Sequence, residues 1–352
     1  MLNWFALYPE FGANDLYLSG ESYAGIYVPF LAKNIYDHNQ QYASDNTVFK
    51  PNLIGFAVGN GVTDWTYDTT PSYIDMGFWH SLYSQELRAK MLAANCDYGG
   101  LGMPNATALC DAYYAQFLAL TSKVNIYNIY GICYGTSIDP QAEEGDEILE
   151  KRKGMTARDY TPWAFPDDEF LSRHGLDGGD LPPCTFGTPL MEYFDRADVR
   201  LALHIPETDP TIGPWVMCTS NIDYTRGAEG SIQKYKDLHG KIRMMHFSGD
   251  VDGAVGTDGT QAWIDSLEWE ITGDWAVWYY DDPTLGKQDA GFVTEYVDDF
   301  TFIIVHGAGH MVPEDKPPQA IQMIYNWINE VDLSNNLYII NGTNATYTTP
   351  QE

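Results

Sequence analysis

Basic residues are scarce in this chain. Only 19 lysines and arginines stand against 49 aspartates and glutamates among 352 residues, a formal charge of −30. Such a surface repels nucleic acid and anionic bilayers, which argues against both as partners. Long apolar runs are missing too: nowhere do the roughly eighteen consecutive apolar residues of a helical bilayer span occur. No C-x-x-C pair occurs among the five cysteines, so their spacing does not suit zinc. No other metal or organic cofactor is implied, and no internal repeat is evident. The first ten residues, Met1 to Glu10, lack a basic leader region, and Asn3, Pro9 and Glu10 interrupt any apolar one. They read as the end of an amphipathic helix feeding a strand. A domain rarely begins in its middle, so upstream sequence is expected to be missing. The acidity itself has two accounts of equal weight: solubility, or work at low pH, where partial protonation relieves self-repulsion.

What the chain does have is apolar and aromatic mass, 44% and 14% of residues, enough for one large α/β domain with an insertion. Cys96, Cys110, Cys133 and Cys184 fall in one central segment, and Cys218 stands apart. An even set of four suits two disulfides in an oxidising compartment, and the odd one suggests a partner elsewhere. A Cys96–Cys110 bond would close a loop of about 15 residues, contributing on the order of 3 kcal/mol. N-x-[ST] sequons at Asn105, Asn341 and Asn344 fit passage through the secretory route.

Apolar segments ended by glycine or asparagine predict strands at 15–19 and 53–59, with helical spacing between them through Phe30, Leu31, Ile35 and Tyr36. This is a β-α-β unit with parallel neighbours. From Asp64 to about Pro189 the strand rhythm gives way to aromatics, charges and the cysteines, predicting a largely helical cap over the sheet. Strands resume at 241–249, 275–280 and 300–305, with a helix-like segment from Asp258 to Trp269. A final helix from Pro317 groups Ala320, Ile321, Ile324, Trp327 and Ile328 on one face. The expected organisation is therefore a first core part over 1–63, a disulfide-bearing cap over 64–189, a second core part over 190–331 and a polar tail over 332–352.

The most informative stretch is Gly20-Glu21-Ser22-Tyr23-Ala24-Gly25, a G-x-S-x-G that ends an apolar strand and opens a helix. That context is what a nucleophile elbow requires: a turn tight enough to need glycine on both sides, lifting a hydroxyl above the sheet edge. An elbow serine is inert without a base and an orienting carboxylate. In an open α/β sheet these belong in loops past the C-terminal ends of later strands. Ser248-Gly-Asp250-Val-Asp252-Gly253 follows one strand and His306-Gly-Ala-Gly309-His310-Met311 another, giving the order Ser, Asp, His. His310 is preferred to His306, which sits at a strand terminus, because the G-A-G loop lets its imidazole swing toward Ser22. Asp250 and Asp252 compete for the acid, and the nearer one could be an ordinary turn aspartate bonding its own backbone. The residues from Asp252 to His310 leave room for a helix and two strands. His80, His204 and His246 read as structural.

Three blocks, G-E-S-Y-A-G-I-Y-V-P, F-S-G-D-V-D-G-A-V and H-G-A-G-H-M-V-P, resemble in this order the signature blocks of the serine carboxypeptidase family. The similarity extends to Gly59-Asn60-Gly61-Val-Thr-Asp64 and Val199-Arg-Leu-Ala-Leu-His204. The resemblance implies an α/β-hydrolase fold with Ser22 as nucleophile, Asp252 as orienting acid and His310 as base. It also implies the Tyr23 backbone N–H as an oxyanion donor. By the same resemblance Glu21 belongs to a pair of acids that bind a substrate's terminal carboxylate, and Met311 lines the cleft. The substrate would be the C-terminus of a peptide, cleaved at acidic pH in a lysosome, a vacuole or outside the cell; homodimerisation stays open. Facing carboxyl groups must share a proton with such a substrate, so raising the pH turns attraction into repulsion. Acid operation would also need the His310 pKa lowered. Family members carry an upstream N-G-G-P-G segment with a second oxyanion donor; this chain has none, and Cys218 resembles the cysteine that bridges to that portion. An acyltransferase on the same scaffold and a non-catalytic binding or stabilising protein are the rival readings.

Overall fold

A computed structural model describes residues 1–131, 133, 192–205, 215, 224–282 and 284–335. Its centre is a six-stranded sheet of β1 (Asp15–Glu21), β2 (Asn52–Gly59), β3 (Arg243–Gly249), β4 (Ile271–Asp282), β5 (Gly286–Tyr296) and β6 (Phe300–Val305). The spatial order is β1-β2-β3-β6-β5-β4. β1, β2, β3 and β6 run parallel, and β5 and β4 extend the sheet antiparallel. Register aligns the parallel ends: Glu21 faces Gly59, Gly59 faces Phe247, and Gly249 faces Val305. All four strands therefore deliver their following loops to one rim.

Period-two alternation sorts the apolar side chains between the sheet's faces. Phe56, Val58, Met244, Phe302 and Ile304 pack on one face with Val28, Ala32 and Ile35 of α2 (Ala24–Gln41). Leu238 of α7 (Ile232–Leu238) and Trp263 of α8 (Thr257–Asp265) join them. Ala57, Met245, Phe247, Ile303 and Val305 turn to the other face, against Met323 and Trp327 of α10 (Pro317–Ile328). The remaining helices among the described residues are α1 (Leu2–Leu7), α3 (Thr70–Trp79), α4 (Gln85–Ala93), α5 (Ala108–Thr121), α6 (Ala197–Ala202) and α9 (Val312–Asp315). α3, α4 and α5 carry a separate apolar cluster around Tyr73, Met91, Tyr114 and Phe117, closed by a Cys96–Cys110 disulfide. Cys133 is also disulfide-bonded. Cys184, Cys218, Asn341, Asn344 and the expected cap beyond 133 lie outside the described residues, as does the tail beyond 335. Asn105 is exposed and donates to Asp97. No described helix is long and apolar enough to cross a membrane.

The structure departs from the sequence expectations at three points and adds a fourth, a short helix ahead of the expected one at Pro317. The span from Asp252 to His310 holds an extra strand, β5, whose run Gly286-Lys-Gln-Asp-Ala-Gly is too polar and glycine-rich to read as one. In α10, Ile321 and Ile328 are exposed, while Gln319, Gln322 and Asn326 are buried. Those last two side chains turn inward because their amides donate to the carbonyls of Tyr279, Asp332, Leu333 and Asn335. In α2, Phe30 and Leu31 are likewise exposed. Helical structure also starts before Pro317, at Val312, with Pro313 in the first turn of α9.

Pro29 sits inside α2 and has no N–H to give the carbonyl of Gly25 one turn earlier. The Ser231 hydroxyl supplies the bond instead, at 2.5 Å. The first turn behind Ser22 is thus anchored to the entry of α7.

Candidate active site

Ser22 stands between β1 and α2 with φ of 64°, a left-handed conformation that costs a non-glycine residue roughly 1–2 kcal/mol. The turn is held from both sides. Ser22 N–H donates to Gly59 O at 3.0 Å, and Ser22 O accepts from Val62 N–H at 3.0 Å. The flanking glycines are steric requirements. A Cβ on Gly20 would lie 2.4 Å from that of Ala24, and one on Gly25 would lie 2.3 Å from Val62 O. Tyr23 is the N-cap of α2, so its N–H belongs to the positive end of an 18-residue helix.

The β3 and β6 loops bring Asp252 and His310 together. Asp252 Oδ2 lies 2.7 Å from His310 Nδ1, and both side chains are fully buried. A carboxylate partner sets the tautomer: Nδ1 donates, and Nε2 presents its lone pair. Nε2 is buried and makes no hydrogen bond among the described residues, so the Ser22 hydroxyl is not bonded to it. Bonds of this kind commonly close only when substrate binds.

Asp252 is satisfied from three further directions. It accepts from Ala254 N–H at 2.7 Å, Val255 N–H at 3.2 Å and Asn60 Nδ2 at 2.8 Å. It is therefore also the aspartate that bonds its own turn. Asp250 instead reaches across to the other loop, accepting from Gly307 N–H and pairing with His306 Nδ1, both at 2.6 Å. His306 is exposed.

The loop bearing His310 is pinned, contrary to the swinging imidazole expected from G-A-G. His310 N–H donates to Tyr127 O at 2.6 Å and Gly309 N–H to Asp315 Oδ2 at 2.6 Å. The Tyr127 ring packs 5.0 Å from the imidazole. Glycine is needed at 309 because a Cβ there would lie 2.1 Å from Tyr127 O.

Three carboxyl groups on this rim influence one another, Glu21, Glu314 and Asp315, and Glu21 acts directly on the His310 imidazole. Burial raises the Glu21 pKa, with the negative charges of Asp252 and Asp315 adding and His310 opposing. Burial, then Asp315 and Glu21, push Glu314 up to about 7. Burial also raises Asp315, against the donors Gly309 and Asn128. For His310, burial favours the neutral ring, but Asp252, by charge and hydrogen bond, and Glu21 carry the net shift upward. The lowering expected for acid operation is therefore absent from the ligand-free site. Met311 follows His310 as the N-cap of α9 and accepts from the Glu314 and Asp315 amides.

Sequence reading missed Asn60 as a site residue, and Glu314 and Asp315 altogether. An asparagine-glycine pair ending a buried strand was the available signal for the first. The two acids drew no notice because they precede the helix expected from Pro317. Among the described residues no group of three potential ligands could hold a metal ion.

The chain is 30% identical over 336 residues to serine carboxypeptidase-like 33 of Arabidopsis thaliana, covering 95% of this chain and 64% of that protein. It is 31% identical to serine carboxypeptidase 1 of Hordeum vulgare, covering 93% and 66%, and 32% identical to the lysosomal protective protein of Mus musculus, covering 93% and 67%. The chain thus spans just under two thirds of the length of the two plant relatives. The fold is similar to that in the crystal structure of Kex1(delta)p, a prohormone-processing carboxypeptidase from Saccharomyces cerevisiae. There the TM-score is 0.59 at 21% identity, over 95% of this chain and 66% of the other. A family model described as serine carboxypeptidase matches residues 1–330. With its elbow, its mixed sheet and its buried Asp–His pair in that order, this chain belongs to the serine carboxypeptidase family.

Proposed function

We propose that the protein is a serine-type carboxypeptidase that removes C-terminal residues from peptides at acidic pH. The observation that carries this reading is the buried 2.7 Å pair of His310 and Asp252 opening onto a cluster of three carboxyl groups on the rim that bears Ser22. His310 Nε2 takes the Ser22 hydroxyl proton as the oxygen attacks the scissile carbonyl, then returns it to the leaving amine. Asp252 fixes the ring and stabilises the imidazolium. The Tyr23 N–H, at the start of α2, supports the developing oxyanion. Water then hydrolyses the acyl-serine by the reverse proton path.

The carboxyl cluster gives the exopeptidase its preference. A protonated Glu21 or Glu314 donates a hydrogen bond to the substrate's terminal carboxylate, and the ionised form repels it. Met311 borders that subsite. The described part of the expected cap borders the site through Tyr127, and Asn105, Asn341 and Asn344 carry glycans. A lysosomal, vacuolar or extracellular location fits the sequons, the disulfides and the acidic surface. Comparing a blocked dipeptide with its C-terminal amide at acidic pH tests the assignment: the free acid should be strongly preferred, and equal rates would exclude carboxylate recognition. A phosphonofluoridate should label Ser22 alone.

A further inference from the structure

Asp250 and His306 lie two and four residues before Asp252 and His310, one on each of the loops that leave β3 and β6. We propose that they form a clasp that positions the Asp252–His310 pair, and that both are positioning residues for the reaction proposed above, on which this inference rests. Asp250 Oδ2 lies 2.6 Å from His306 Nδ1, and Asp250 Oδ1 takes the Gly307 N–H at 2.6 Å. One carboxylate thus grips two consecutive residues of the opposite loop.

The parallel pairing of β3 and β6 ends at Gly249 and Val305. Beyond it the loops stay joined by Asp250 N–H to Val305 O at 3.4 Å and Val251 N–H to Ala308 O at 3.0 Å. The first of these is long, and the side-chain clasp reinforces it. The loops touch backbone to backbone here, since a Cβ on Gly249 would lie 2.2 Å from Gly309 O and 2.3 Å from Ala308 O. A shift of the His306–Gly309 segment is therefore transmitted to His310 with no soft side chain between to absorb it. On the other flank, His306 N–H is held by Ala290 O at 2.9 Å.

An exposed ion pair far from any site contributes little. This one is different because of what its two ends carry. The inner pair is a single 2.7 Å contact between fully buried groups, one on each loop. A displacement of about 1 Å at such a contact can cost on the order of 100-fold in rate. His306 itself is 63% exposed at its side chain, so its removal leaves no cavity.

The test uses the full chain and two readouts. The first is the solvent exchange of the low-field His310 Nδ1 proton followed by NMR, which needs no activity. The second is kcat and KM for C-terminal hydrolysis. In His306→Ala, proton exchange should quicken and kcat fall by roughly 10- to 100-fold, with KM unchanged. His306→Gln, which keeps an N–H for Asp250, should restore both. The double variant with Asp250→Ala should be no worse than the poorer single one. Unchanged exchange and kcat in His306→Ala, or additive losses in the double variant, would overturn the proposal. Should Asp250→Ala fail to fold, the exposed His306→Ala decides alone. If wild-type Ser22 resists phosphonate labelling while His306→Ala still speeds exchange, the clasp stands and the hydrolase reading falls.

Discussion

Asn60 joins two strand ends through one side chain: its Nδ2 donates to Asp252 Oδ2 at 2.8 Å, and its Oδ1 accepts from Gly249 N–H at 3.0 Å. It leaves β2 with φ of 40°, a conformation asparagine tolerates better than most residues. Asn60→Ala should cost about 2–3 kcal/mol, since it strips a charged acceptor and orphans a buried amide. Asn60→Asp should be worse, placing a second carboxylate against Asp252, and its deficit should shrink in acid as the pair takes up a proton. Urea titrations at acidic and neutral pH measure both.

Glu21 bears on the acid side of the rate profile. Its negative charge is among the causes that raise the His310 pKa. Glu21→Gln should therefore lower that pKa and move the acid limb of kcat/KM to lower pH. The same change should reduce discrimination between a free C-terminus and its amide. A pH–rate series on the two substrates reads both effects.

Glu314 bears on the other limb. With a pKa of about 7 it is neutral in acid and charged above neutrality, where it repels a substrate carboxylate. In Glu314→Gln the side chain stays neutral, so KM above that pH should fall relative to wild type. Initial rates at mildly alkaline pH test this.

Asp68 is fully buried, accepting from the amides of Thr63 and Asp64 through one oxygen while the other has no partner among the described residues. Burial pushes its pKa to about 7. The folded value lies above the unfolded one, near 3.9, so folding binds a proton between the two. Stability is then highest below the unfolded pKa and declines as pH rises through the folded one, by up to about 4 kcal/mol. Asp68→Asn should flatten that decline and raise Tm at neutral pH. Calorimetry across the range decides it.

Ser231 replaces the helix donor that Pro29 lacks. Ser231→Ala should cost about 1–3 kcal/mol through the stranded Gly25 carbonyl, whereas the double variant with Pro29→Ala should recover part of it. Denaturant midpoints of the two variants measure the difference.

How far such features were legible depended on whether a local pattern encoded them. β1, β2, β3 and β6 were readable because they are short segments rich in apolar residues, with glycine at or just before the end of the first three, that run into polar turns. Ser22, Asp252 and His310 followed because each sits just beyond such an end. β5 was not readable, since its pairing to β6 is imposed by tertiary context on a weak strand former. Nor could spacing reveal that the runner-up residues Asp250 and His306 pair with each other, because a contact 56 residues apart leaves no periodicity. Glu314 and Asp315 were hidden because the short helix α9 that carries them was not expected before Pro317.

The inward-facing amides of α10 set a limit on redesign. An engineer idealising that helix would be tempted to trade Gln322 and Asn326 for leucine, gaining greasy area against the sheet. The exchange would take side-chain amide donors from four main-chain oxygens at once and loosen the hold of the 332–335 strap on the back of the sheet.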